Sequence, residues 1–90
     1  MQAYEITVIR KTGINQYTDE EQVGRIEADL LGNAKRLASE YIMNWQTDRK
    51  ITIRTRAEWV RDAKRGGFVR EMLVTENGSP VKMIYILREL

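Results

Sequence analysis

Residues 68–88 read Phe-Val-Arg-Glu-Met-Leu-Val-Thr-Glu-Asn-Gly-Ser-Pro-Val-Lys-Met-Ile-Tyr-Ile-Leu-Arg. Two runs of β-branched, aromatic and aliphatic side chains, Phe68–Glu76 and Val81–Arg88, flank Asn77-Gly78-Ser79-Pro80. Asn-Gly tolerates the positive φ that a tight hairpin turn demands, so the stretch predicts two antiparallel strands. Pro80 falls where the second strand begins, where a missing N–H costs little. A hairpin needs a further layer to bury its apolar face.

That layer is legible upstream. Asp29 is a candidate N-cap, and after it Leu30, Ala34, Leu37, Ala38, Tyr41 and Trp45 recur at helical spacing. Lys35, Arg36, Ser39 and Glu40 fall largely off this stripe. The helix is expected to end near Trp45–Asp48, without a glycine stop. Before it, Ala3–Lys11 alternates Tyr4, Ile6 and Val8 with Glu5, Thr7 and Ile9, a strand whose second face is partly covered at Ile9. Thr12-Gly13-Ile14-Asn15 opens a loop that carries Asp19-Glu20-Glu21. Gln22–Ala28 reads as a second, antiparallel strand, with Gly24 as a candidate bulge. Lys50–Thr55 alternates Ile51 and Ile53 with Thr52 and Arg54 and reads as a third.

Residues 56–65 admit two readings. Thr55-Arg56-Ala57-Glu58 has capping-box spacing and Gly66 suits a C′ position, which predicts a short helix burying Trp59, Val60 and Ala63. Alternatively, 58–62 restarts a strand and 63–67 is a hairpin loop. With the helix as the working expectation, the fold class is α+β. One antiparallel β-sheet carries one main helix packed on a face, in the order β-β-α-β-(short α)-β-β, as a single domain over residues 1–90.

Composition narrows the function. The chain has no cysteine and no histidine. This excludes a disulfide framework, a thiolate nucleophile, a Ser-His-Asp triad and the usual zinc chemistries. Carboxylates such as Glu58, Asp62 and Glu71 show no pairing that suggests acid–base work, and Asp19-Glu20-Glu21 lacks the alternating oxygen ligands of a calcium loop. No phosphate-loop motif surrounds Gly66-Gly67. We expect neither an enzyme nor a cofactor. The opening residues lack the pattern of a secretory signal, and the longest strongly apolar run, Met83–Leu87, is too short to span a bilayer. A cytoplasmic protein with no membrane partner is expected.

Charge is the sharper clue. Between Arg49 and Arg70 eight basic side chains face only Glu58 and Asp62, whereas residues 1–48 hold five basic and eight acidic side chains. Such asymmetry suits a surface that meets a polyanion or an acidic protein. On a strand, Lys50 and Arg54 share a face; on a helix, Arg61, Lys64 and Arg65 share a side, and Arg56 lies between the groups. Lys35 and Arg36 form a second basic spot. The plainer reading is a solvated face with local partners at Glu58 and Asp62. Trp59, Phe68 and Tyr17 are candidates for stacking on bases, although the spacing of Trp59 and Phe68 also suits a core.

Ile26-Glu27-Ala28-Asp29-Leu30, followed by Ala34-Lys35-Arg36-Leu37-Ala38-Ser39, resembles a family of small phage-encoded anti-CRISPR proteins that act on the type I-F surveillance complex. The resemblance covers roughly residues 3–55. It implies a helix on a β-sheet, no catalysis, and binding to an RNA-guided Cas complex inside the bacterial host cell that blocks target-DNA pairing. Lys35 and Arg36 match basic positions of the family's helix; Arg56–Gly67 and the C-terminal hairpin have no counterpart in its pattern. The expected partner is therefore a CRISPR–Cas effector complex, gripped through Lys35, Arg36, Lys50, Arg54, Arg56, Arg61, Lys64 and Arg65. The rival is a stand-alone, non-specific nucleic-acid-binding module. The expected state is a monomer, or a weak dimer joined along the edge of the hairpin strands.

Overall fold

A computed structural model of the chain describes residues 1–90. Strands β1 (Gln2–Gly13), β2 (Gln16–Tyr17) and β3 (Glu21–Ala28) precede helix α1 (Leu31–Asp48). Strands β4 (Thr52–Arg56), β5 (Val60–Asp62), β6 (Gly67–Glu76) and β7 (Ser79–Glu89) follow it. All seven join one antiparallel sheet in which β1, β7 and β6 are central, β2 and β3 flank β1, and β4 and β5 flank β6. The architecture is α+β with one helix, and the sheet is larger than expected.

The hairpin forms as its turn residues require. Glu76 pairs with Ser79 across Asn77 (φ 53°) and Gly78 (φ 80°), both in the left-handed region. Its strands are interior, β7 between β1 and β6, so the edge expected for dimerisation is absent; the free edges belong to β2 and β3 and to β4 and β5. Tyr4, Ile6 and Val8 of β1 join Met83, Tyr85 and Leu87 of β7 and Met72 and Val74 of β6 in the core under α1. The opposite face is also apolar at its centre, where Ile9, Ile84 and Ile86 are buried with Val69 beside them. This is why Met83–Leu87 reads as a continuous apolar run. Next to these isoleucines Glu20 accepts from Thr7 Oγ1 (2.6 Å) and from Arg88 Nη2 (3.1 Å), and Arg88 Nη1 also bonds it. Arg88 and Thr7 hold the Glu20 carboxyl below its ordinary range. Glu21 pairs with Arg10 (2.9 Å). Part of the acidic loop thus has internal partners.

Helix α1 buries Ala34, Ala38, Ile42, Trp45 and Gln46, a stripe rotated from the expected one, with Leu30 and Tyr41 left exposed. Two alanines allow its first half to approach the sheet closely. Tyr41 instead covers Gly24, where an added Cβ would meet its ring at 2.3 Å. The β1–β3 register slips between Ile6 and Thr7, opposite Gly24 and Gln22, so Val23 is the bulged residue. Asp29 does not cap the helix. Leu30 occupies the N-cap without a side-chain bond, and Asp29 accepts from Asn33 Nδ2 (3.0 Å) one turn on. At the other end Lys50 takes the left-handed conformation (φ 57°), while Ile51 N–H reaches Gln46 O (2.8 Å) and Lys50 N–H reaches Thr47 O (3.1 Å). This is a Schellman stop with lysine where glycine is usual. Lys50→Gly is expected to stabilise the protein by about 0.5–1 kcal/mol, read as a higher urea midpoint, because the left-handed penalty exceeds glycine's entropic cost.

No short helix exists at 56–65. Val60–Asp62 pairs with Gly67–Val69, and Asp62 Oδ1 accepts the N–H groups of Lys64 (3.0 Å) and Arg65 (3.3 Å), which turns the chain into β6. That local bond replaces the helical one which Ala63–Arg65 would need.

Gln46 Nε2 donates to the buried Tyr85 hydroxyl at 2.9 Å, and Trp45 meets the Tyr85 ring edge-on at 6.0 Å. Burial pushes the Tyr85 phenol up to about 12. Its folded pKa lies above its unfolded value of about 10, so the neutral form is favoured in the fold. This stability is complete below about pH 10 and is lost as pH rises towards 12, by about 2–3 kcal/mol. Alkaline urea titrations should show that fall, with one phenol ionising last in the ultraviolet.

Candidate functional site

Helix α1 leaves a cleft of about 440 Å³ between itself and the β4–β5 side of the sheet. Its floor is decided by strand register. On β6 the residues that face α1 are Phe68, Arg70, Met72 and Val74, so a guanidinium stands in an otherwise apolar column. Arg70 is only 8% exposed. Its Nε donates to Ala57 O (2.8 Å) and its Nη1 to Ser39 Oγ (2.7 Å). It forms no ion pair, unlike Arg10, Arg36, Arg65 and Arg88. Burial pushes its pKa below the ordinary arginine value; the nearby Arg56 charge adds to this and Glu58 partly offsets it. A buried cation without a counter-ion is costly unless something else compensates it.

Ser39 organises the wall above. Its hydroxyl donates to Lys35 O (2.9 Å) and accepts from Arg70 Nη1 and from Trp59 Nε1 (3.0 Å), which uses its one donor and both acceptor sites. Trp59, half-buried, is thereby pinned beside Arg70. Lys35, Arg36 and Arg56 complete the basic lining, with Glu40 and Glu58 as its acids. Arg36 pairs with Glu40 (3.3 Å) on the exposed helix surface, and Lys35 Nζ lies 4.3 Å from the centre of the Phe68 ring. Arg56 and Glu58 form no ion pair.

The eight basic residues singled out from sequence therefore do not form one surface. Lys35, Arg36 and Arg56 meet in the cleft. Arg61, opposite Phe68 on β5, shares the α1 side of the sheet and lines a second hollow with Leu31. Lys50 ends the helix and is not a strand residue. Arg54 is the extra residue of a bulge, since the β4–β6 register slips between Ile53 and Thr55. Arg61, Lys64 and Arg65 share no helix face. Arg65 pairs with Asp62 (3.8 Å) and lies 5.4 Å from the Tyr17 ring centre, and its carbonyl accepts from Arg88. Tyr17 is thus under a guanidinium, and Trp59 and Phe68, both partly buried, pack against the core as their spacing allowed.

The sequence offers Trp59 as a stacking candidate but gives neither Arg70 nor Ser39 as a site residue, nor the bonds that join the three. Arg70 entered only the charge count. The available signal was its phase: within Phe68–Val74 it is the charged member of the alternating apolar set. No group of carboxylates is arranged to hold a metal ion, and no helix is long and apolar enough to cross a membrane. No protein-family model matches the chain, and no curated protein or solved structure matches it.

Proposed function

We propose that this chain is a non-catalytic binding protein that grips an anionic nucleoprotein partner through the α1–β4 cleft, and that the partner is an RNA-guided CRISPR effector complex whose target-DNA engagement it blocks. The observation that carries the anionic partner is Arg70, a buried guanidinium with no ion-pair partner, opening into a cleft whose lining also holds Lys35, Arg36 and Arg56. An incoming anion would supply the missing counter-charge in a partly desolvated setting, where charge-assisted bonds are strongest. The choice of partner rests on the resemblance of residues 26–39, which includes Lys35, Arg36 and Ser39, three residues of the cleft. A guided complex offers anionic RNA held on a protein scaffold.

The test is capture by immobilised protein from a bacterial lysate with an active type I-F system, with and without nuclease, read by mass spectrometry. Cas subunits retained after nuclease are the expected result. Bulk nucleic acid with its usual companions, lost on nuclease treatment, would replace this reading with that of a stand-alone nucleic-acid binder.

A further inference from the structure

We infer that the α1–β4 cleft receives one nucleotide of a single-stranded nucleic acid, its phosphate on Arg70 and Arg56 and its base against Trp59. This rests on the reading of the cleft as an anion site and names the chemical group that fills it. Arg70 has five N–H donors, of which two are committed to Ala57 O and Ser39 Oγ. The remainder are available to a ligand's oxygens. Because Arg70 lies at the floor, only a group that enters the cleft reaches it.

The walls suit a base better than an acidic side chain. Trp59, Met43 and Met72 line the cleft beside the cations. The indole rests partly against the core and is pinned through Nε1 to Ser39, so its exposed part meets a ligand without further loss of rotamer freedom. Aromatic faces beside arginines form the stacking platforms of single-strand binders. Glu58, which has no cationic partner, can accept a bond from a base amino group. An acidic peptide would use the cations but leave Trp59 and the methionines idle. A duplex keeps its bases stacked inside and cannot lay one against Trp59. Arg61, on the same side of the sheet, lines the second hollow and is a further cation for a neighbouring phosphate.

The experiment titrates the intact protein with a short dye-labelled oligothymidylate, following anisotropy and tryptophan emission together. Trp45 is buried in the core, so a change in emission on binding reports Trp59. Binding with altered emission is expected, weakened about tenfold or more by Trp59→Leu. Arg56→Ala, at an exposed residue, should weaken binding about fivefold and lower the salt slope by about one. The duplex form should bind more weakly than the single strand. Binding that leaves emission unchanged and is indifferent to Arg56→Ala would overturn the inference, as would equal competition by polyglutamate. If no oligonucleotide binds yet Arg56→Glu abolishes capture of the effector complex, the nucleotide assignment falls while the anion site stands. If neither depends on the cleft, both fall.

Discussion

Arg70→Met is expected to cut binding of the anionic partner by at least about thirtyfold while leaving the urea midpoint unchanged or higher. The two effects separate because Arg70 has a costly folded environment and a favourable bound one. Methionine fills a similar apolar column between Phe68 and Met72 and removes a desolvated charge. The bonds lost are modest. Ala57 is exposed, so water can replace the guanidinium at its carbonyl, and Ser39 Oγ keeps Trp59 Nε1 as a donor. Retained stability with lost binding is the signature of a residue kept for function at the expense of stability. A loss of more than about 3 kcal/mol would instead make Arg70 a structural residue whose bonds to Ala57 and Ser39 hold the β4–β5 segment.

Gly67→Ala is expected to destabilise the protein by about 3 kcal/mol, measured by urea denaturation. A Cβ there would sit 2.2 Å from Leu87 O, 3.1 Å from Leu87 C and 3.3 Å from Arg88 Cα. All three are backbone atoms of the central strand β7, which no rotamer change can move. Relief requires parting the start of β6 from β7, and with it the β5–β6 turn that positions Arg61 and Arg65. Gly32→Ala is the matched control. Nothing lies within 4 Å of its added methyl, and it stands in a helix, so the same chemical change should be neutral or stabilising.

These expectations depend on details that differ in how far they can be read from sequence. The β6–β7 hairpin, β1, β3 and α1 are legible because of their local signals, among them Asn77-Gly78 between apolar runs, alternation from Tyr4 to Val8, and helical spacing from Ala34 to Trp45. Val60–Asp62 is not, because three residues are too few to reveal a period and Trp59, Val60 and Ala63 suit a helix equally well. The deciding interactions are the Asp62 turn and pairing with β6, one local and one from outside the segment. Helix ends were also obscure. Leu30 and Lys50 are poor terminators by propensity, and tertiary packing of Ala34, Ile42 and Trp45 holds the helix regardless.

For the site, composition pointed to base and to binding, and Lys35, Arg36 and Arg56 do meet. Charge counts along a chain treat every arginine as equivalent, which they are not. Arg65 has a local carboxylate in Asp62, Arg88 a distant one in Glu20, Arg49 lies 4.4 Å from the Trp45 ring centre, and Arg70 is buried without an ion-pair partner. Only strand register distinguishes the last from the others.

The most direct test of the account is target-DNA binding by a purified type I-F surveillance complex, preincubated with the wild-type chain or with the Arg36→Glu, Arg56→Glu double variant. Both changes are at exposed residues of the cleft rim and should leave the fold intact. The wild type is expected to block DNA binding and the variant to leave it intact. Equal inhibition by both proteins, or none by the wild type, would contradict this.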